Sequence, residues 1–282
     1  MLTLAQIKNE IEWLGDFGGM IQAYEEIAAL RMQEIRAQVL VNRDFLNSLS
    51  EIFQQVKTVY KKQAVEHKLI SRRRKNGQTA RVFLSANTGL YGSIVQETFL
   101  LFLQDLEKYK SEPVVVGRLG QAFFQEARPG AKYTAFDFPD VPVDNSRFKE
   151  IVNFLVGYET VVVYHGYFKN LVTQIPRQSN ISGDELIPQT GSALPARWIF
   201  EPSLDEVLTL FDNEILGSLF IQTMHESQLA KYASRMMTLG ETGENVKGQL
   251  QKQKLGYSRL NQQQANEKQS GMFSSMTLWR MK

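Results

Sequence analysis

The sequence predicts an α/β protein in which long N- and C-terminal helices form an antiparallel coiled coil. Between them it predicts a central Rossmann-like α/β domain with a small, largely parallel sheet. Three observations predict this plan: apolar residues recur at heptad spacing near both ends, no proline interrupts residues 4–56 or 203–268, and the middle alternates β-rich runs with helical ones.

The first element is a helix over residues 1–62. Ile7, Ile11, Leu14, Gly18 and Ile21, then Ala28, Met32, Ile35 and Val39, step by four and three residues and form one seam. Glu25 interrupts the seam, and Gly18 and Gly19 each weaken the helix by about 1 kcal/mol relative to alanine. Such a helix needs a partner. The run "HKLISRRRKNG" that follows has two readings. Arg72, Arg73, Arg74 and Lys75 complement a helix C-terminus that a left-handed residue at Asn76-Gly77 would stop, or they form a patch for an acidic partner or nucleic acid.

Residues 78–202 read as the α/β domain. "RVFLS", "PVVVG", "KYTAFDF", "ETVVVYHG" and "ARWIF" are strand-like, "GSIVQETFLLFLQDLEKY" and "DNSRFKEIVNFLVGY" have helical spacing, and "RQSNISGDELIPQTGSALP" is a polar loop. After the first strand, "FLSANTGLYGS" turns towards a helix. Its Gly89 and Gly92 fit neither G-x-G-x-x-G nor the P-loop spacing, so the turn is expected to be a strand-to-helix connection that needs glycine dihedrals.

The third element covers residues 203–282. Ser203 is a candidate N-cap with Asp205 and Glu206 in the first turn, where acids suit the helix dipole. Leu229, Tyr232, Met236, Leu239, Gly243, Val246 and Leu250 form the second heptad seam. A helix of about 65 residues would reach roughly 100 Å, so pairing with the N-terminal helix is the economical way to cover it. "NQQQANEKQ" is polar on every face, and Gly271 is a point at which regular helix can end. Beyond it lie Met272, Phe273, Met276, Leu278, Trp279 and Met281, apolar side chains that follow a tract polar all round.

Composition narrows the function. A net charge of +2 over 282 residues, with pI near 8.6, gives no argument for a nucleic-acid or anionic-membrane partner. With no cysteine there is neither a thiolate metal site nor a thiol nucleophile. His67, His165 and His225 lie far apart, no G-x-S-x-G elbow occurs and no carboxylate pair stands out, so no catalytic, cofactor or metal residue is expected. No apolar run approaches the roughly 20 residues needed to span a bilayer, and a soluble, cytoplasmic chain is expected.

Several segments resemble one family, the gamma subunit of F-type ATP synthases. "FLSANTGLYGS" is similar to its strand and S-[DT]-x-G-L-C-G turn, keeping Ser85, Gly89, Leu90 and Gly92 but carrying Tyr91 for cysteine. "IFEPSLDEVL" matches its E-P segment through Glu201 and Pro202. "VVVYHGYFKNLVTQIP" follows its strand and F-x-[ST]-x-x-x-Q-x-P. "HESQLAKYASRMMTLGETGENV" resembles its E-x-x-[AS]-R-M block through Glu226, Ser227, Ala233, Arg235, Met236, Met237 and Asn245. The chain also departs from the pattern. Glu25 and Glu26 stand where the family is basic, and Asn261 stands where it has arginine, with Arg259 and Gln262 kept.

The resemblance implies a non-catalytic central rotor stalk without a cofactor. Its partners would be the alpha and beta subunits that bind ATP, the epsilon subunit and the membrane c-ring, at the cytoplasmic face of the cell membrane. It places Ser85, Asn87, Gly89, Leu90, Tyr91 and Gly92 against a lever of beta. Shaft contacts would fall at Met20, Ala23, Arg31, Arg235, Met236, Arg259, Asn261 and Gln262, and the bearing at Met272, Phe273, Met276, Leu278 and Trp279. Two other readings remain beside it: a coiled-coil scaffold whose α/β domain binds a ligand at the carboxyl ends of its strands, and a nucleic-acid-binding rod resting on Arg72 to Lys75.

Overall fold

The computed structural model describes residues 3–67, 76–139, 145–182 and 204–279. The elements run α1 (Leu4–His67), β1 (Thr79–Leu84), α2 (Ile94–Lys108), β2 (Glu112–Val116), α3 (Arg118–Ala127), β3 (Thr134–Phe136), α4 (Asn145–Val156), β4 (Thr160–Phe168), β5 (Gln174–Asn180) and α5 (Leu204–Trp279). The basic run Arg72 to Lys75, the strand-like "ARWIF" and the cap candidate Ser203 lie outside the described residues. These divide into two compact units, Met1–Ala28 with Met236–Lys282, and Ala29–Arg235.

The first unit contains the beginning of α1 and the later part of α5. Thr3 and Gln6 open α1 with a reciprocal cap: the Thr3 N–H donates to Gln6 Oε1 at 2.8 Å, and the Gln6 N–H donates to Thr3 Oγ1 at 3.3 Å. The heptad seams meet as the spacing predicts, with Leu14, Ile21, Leu239 and Val246 buried together and Phe17 and Leu250 packed on them. Glycine does useful work in this seam. A Cβ on Gly18 would lie 3.6 Å from Val246, one on Gly243 would lie 3.5 Å from Ile21, and one on Gly240 would lie 3.7 Å from Glu25, so the helices run close there. Past Leu260 the described side chains of α5 are exposed on all faces. The helix nevertheless continues through Gly271 to Trp279, so Gly271 does not end it. Glycine costs only about 1 kcal/mol in a helix interior, and no proline follows to stop it.

The second unit is built on a five-stranded sheet in the order β3-β2-β1-β4-β5. β3, β2, β1 and β4 are parallel, and β5 returns antiparallel along β4, with Val162 opposite Asn180 and Phe168 opposite Gln174. The polar composition of "RQSN" had suggested loop, yet Arg177 to Asn180 complete β5. An edge strand with one pairing partner tolerates polar residues and Pro176, because one row of its backbone groups faces away from the sheet. Helix α3 carried no comparable signal, because only Gly120 and Phe124 are buried in it.

Both sheet faces are covered. On one, Ala80, Val82, Val114, Val161 and Val163 pack with Ile151 and Leu155 of α4 and with Leu216, Phe220 and Met224 of α5. On the other, Phe83 stacks with Phe102 at 5.6 Å, and Phe102 meets Tyr164 edge-on at 5.4 Å. The polar groups beneath this aromatic layer are joined. Arg81 Nε donates to the Tyr164 hydroxyl at 2.9 Å, and that hydroxyl donates to Asp105 Oδ2 at 2.8 Å. Burial, and then the bond to Asp105, push the Tyr164 hydroxyl well above its ordinary pKa. A further close approach joins β4 to α5. A Cβ on Gly166 would meet Ile94 at 2.9 Å and Ala230 at 3.1 Å, so only glycine lets these elements touch.

His165 is fully buried in β4. Its Nδ1–H donates to the Gly166 carbonyl at 3.0 Å, and its Nε2 accepts from Ser179 Oγ at 2.9 Å, which fixes a neutral tautomer. Burial, reinforced by nearby Arg177, lowers its pKa from 6.5 to about 4. The unfolded chain therefore binds more protons between these values, and stability conferred by the neutral ring is complete above about pH 6.5 and lost as pH falls towards 4. The expected loss is about 3 kcal/mol, measured as urea unfolding free energy against pH, and His165→Gln should flatten that part of the profile. An equal pH slope in the variant would contradict this. In the first unit, Leu239→Asp places a charge in the dry seam and should cost about 3–5 kcal/mol. The readout is thermal melting followed by circular dichroism, and an unchanged melting profile would mean that the seam is assigned wrongly.

Candidate functional site

The turn between β1 and α2 is held by side chains from α5. Arg235 Nη2 donates to the Gly89 carbonyl at 2.6 Å and to Thr88 Oγ1 at 3.3 Å, while its Nε reaches the Leu90 carbonyl at 3.4 Å. One turn earlier, Lys231 Nζ donates to the Ser85 carbonyl at 2.7 Å. The guanidinium lies 4.0 Å from the Tyr91 ring centre, and Tyr91 meets Tyr232 edge-on at 5.8 Å. Two cations thus satisfy turn carbonyls that regular structure leaves open, and an aromatic face stabilises the buried guanidinium.

The backbone of the turn corrects the expectation for its glycines. Leu90 and Gly92 adopt the left-handed conformation, at φ 66° and 60°, whereas Gly89 does not. A Cβ on Gly89 would meet nothing within 4 Å, so neither conformation nor crowding requires glycine there. Leu90 holds its strained conformation because Arg235 binds the carbonyls on either side of its Cα, those of Gly89 and Leu90.

A second set of contacts supports the turn. Asn87 Nδ2 donates to Asp137 Oδ1 at 2.7 Å, and Asn87 Oδ1 accepts the Arg118 N–H at 2.8 Å. Gly117, at φ 101°, lies against Ala86, whose backbone N and O would be only 2.9 Å from a Cβ. Gly120 admits Ser85, whose Cβ would be 2.6 Å away. These two glycines, not Gly89, are the ones the close approach of β1 and α3 requires.

The six turn residues do not share one face. Ser85 and Tyr91 are buried, Asn87 is half-buried, and Gly89, Leu90 and Gly92 are exposed. Arg235 is brought to them, whereas the other proposed shaft residues are distributed along the helices. Met20 and Ala23 are exposed on α1, Arg31 is half-buried and pairs with Glu34 at 2.9 Å, and Met236 is half-buried. Arg259, Asn261 and Gln262 are exposed on α5, as are Met272 and Phe273. Met276, Leu278 and Trp279 belong to α5, but their side chains lie outside the described residues. Sequence reasoning missed Lys231 and placed Tyr232 in the heptad seam, whereas Tyr232 packs against Tyr91 within the second unit. The signal was present in "KYASR", where positions 231, 232 and 235 share one side of a helix.

Among the described residues there is no group of three His, Asp or Glu side chains placed to hold a metal ion. A small space at the carboxyl ends of β1 and β2 is lined by Leu84, Ser85, Val116, Met224 and Lys231 and has room for about one water. No described helix is long and apolar enough to cross a membrane.

Residues 3–267 match the model of the ATP synthase family. The chain belongs to that family. Its relatives include the ATP synthase gamma chain of Symbiobacterium thermophilum, 27% identical over 207 residues that cover 70% of this chain and 72% of the relative. The gamma chain of Pelotomaculum thermopropionicum is 21% identical over 94% of both chains. In fold, the family member resembles a chain of the Euglena gracilis mitochondrial ATP synthase, with TM-score 0.54 and 11% identity over 87% of this chain and 93% of that one. It also resembles a chain of the Tetrahymena thermophila central stalk and c-ring structure, with TM-score 0.52 and 14% identity over 79% and 99%.

Removing the clamp should loosen the turn. Arg235→Ala is expected to cost about 3 kcal/mol in urea unfolding and to accelerate amide exchange selectively over residues 87–92. Arg235→Lys should recover little, because lysine lacks the planar fork that serves several acceptors and stacks on Tyr91. Native exchange rates in either variant would show that the turn holds its shape without the clamp.

Proposed function

We propose that this chain is the gamma subunit, the central rotor stalk of an F-type ATP synthase. It would couple ion flow through a membrane c-ring to ATP synthesis or hydrolysis in an alpha–beta hexamer. The observation that carries the reading is the family match over residues 3–267, with gamma chains aligned along nearly the full length of both partners. The central-stalk fold favours it over a ligand-binding scaffold. ATP would be bound and turned over in alpha and beta, the chain supplying no catalytic group of its own. It would sit peripherally at the cytoplasmic face of the membrane, with epsilon and the c-ring as its other partners.

In this reading, residues 1–62 and 203–282 form the shaft, and residues 78–202 form the α/β domain. The exposed Gly89, Leu90 and Gly92 would meet the beta lever, while Ser85, Asn87 and Tyr91 act from behind by fixing the turn. Arg235 is then a positioning residue: it holds Leu90 outward through its neighbouring carbonyls. Met20, Ala23, Arg31, Met236, Arg259, Asn261 and Gln262 would contribute shaft contacts. The adaptable side chains of Met272, Phe273, Met276, Leu278 and Trp279 would form a bearing that slides without fixed polar bonds.

The test is reconstitution with the cognate alpha and beta subunits. The isolated chain should hydrolyse no ATP, whereas the complex should show chain-dependent turnover and rotation of a probe fixed to the chain. Turnover that follows the isolated chain through a sizing column, or alpha–beta turnover and motion indifferent to it, would overturn the proposal. Deleting Met272 to Lys282 should weaken retention and coupling while leaving the α/β domain folded; full coupling in that variant would remove the bearing assignment.

A further inference from the structure

Helix α1 carries one row of residues at heptad intervals: Ile7, Leu14, Ile21, Ala28, Ile35, Asn42 and Leu49. Ile7, Leu14, Ile21, Ala28 and Ile35 are buried, and Leu49 is half-buried. Asn42 is the one polar member of this row. Helix α5 has a matching row in Ile215, Gln222, Leu229, Met236, Gly243 and Leu250, and there Gln222 is the one polar member.

These two polar residues meet within the second unit. Asn42 Nδ2 donates to Gln222 Oε1 at 3.0 Å and to the Ser218 carbonyl at 3.3 Å. Gln222 Nε2 in turn donates to Glu226 Oε1 at 3.0 Å, which leaves its amide oxygen turned towards Asn42. Asn42, Gln222 and Glu226 are half-buried and Ser218 is buried, so the bonds lie in the helix contact and not on open surface.

Apolar rows at strict heptad spacing leave the register of two helices open, because a slip of one heptad brings hydrocarbon against hydrocarbon again. The Asn42–Gln222 bond forms in one register only. A slip of one heptad would set Asn42 against Ile215 or Leu229, and Gln222 against Ile35 or Leu49, so that each amide loses its partner. We infer that Asn42 is a positioning residue whose bond to Gln222 selects the register of α1 on α5. A polar side chain at a single seam position lowers stability and excludes the arrangements that leave it unpaired. The selection operates inside the second unit and holds whichever partners the chain takes. In the rotor reading, it decides which α1 and α5 side chains of that unit lie side by side on the shaft.

The test measures a distance across this contact in the full-length chain. The sequence has no cysteine, so Val41→Cys with Leu210→Cys takes two spin labels at defined places. Both positions lie on the surface, 71% and 66% exposed. Pulsed electron paramagnetic resonance should give a single distance population in this labelled chain. Adding Asn42→Leu should bring in a second population displaced by up to about 10 Å, the rise of one heptad of helix. Asn42→Ala should do the same with a smaller side chain, and it carries the test if leucine blocks folding. The exchange Asn42→Gln with Gln222→Asn retains an amide pair and should restore the single population. An unshifted single population in both the leucine and the alanine variants overturns the inference, whatever their melting temperatures. A second population that persists in the exchanged pair also overturns it, because side-chain shape and not amide pairing would then set the register.

Discussion

Helix α5 has to satisfy two different environments in succession, and most of the structure follows from that constraint. From Ile215 to Arg235 almost every residue is buried or half-buried, so this stretch behaves as a core helix of the α/β unit. From Leu239 to Leu250 only a narrow stripe is covered, the pattern of a two-helix seam. The change comes within a single turn, at Arg235 and Met236.

The polar groups on the buried stretch are matched to their surroundings. Lys231 and Arg235 reach carbonyls of the β1–α2 turn, and the long stems of both side chains remain in apolar packing. In return, the turn holds Leu90 in a left-handed conformation that a β-carbon disfavours. Strain at Leu90 and burial of a guanidinium therefore belong to one arrangement.

The first unit shows the opposite economy. Its seam is built from Leu14, Ile21, Leu239 and Val246 with glycines between them, and its described outer surfaces are either polar or exposed apolar. Small residues bring the helices together but provide little side-chain area, so the pair gains less from packing than a leucine-rich coiled coil would.

The sequence by itself determined the ends of this protein and its family. Heptad spacing depends only on the 3.6-residue period, so Leu14, Ile21, Leu239 and Val246 could be assigned to a seam without coordinates, and the Arg-Met block was legible as a string. The parallel strands were legible too, because buried strands such as "PVVVG" must be apolar on both faces. Tertiary structure decided the rest. β5 is a strand because β4 offers it a pairing edge, α3 is a helix although little of its surface is buried, and α5 passes Gly271 because nothing there stops it. The turn shows the difference most clearly: its glycines were visible in the sequence, but which residue is strained depends on Arg235, 145 positions from Leu90. Local spacing fixes what depends on the helix period or strand alternation. Contacts between distant residues depend on which surfaces the fold brings together, and that is a property of the packed chain.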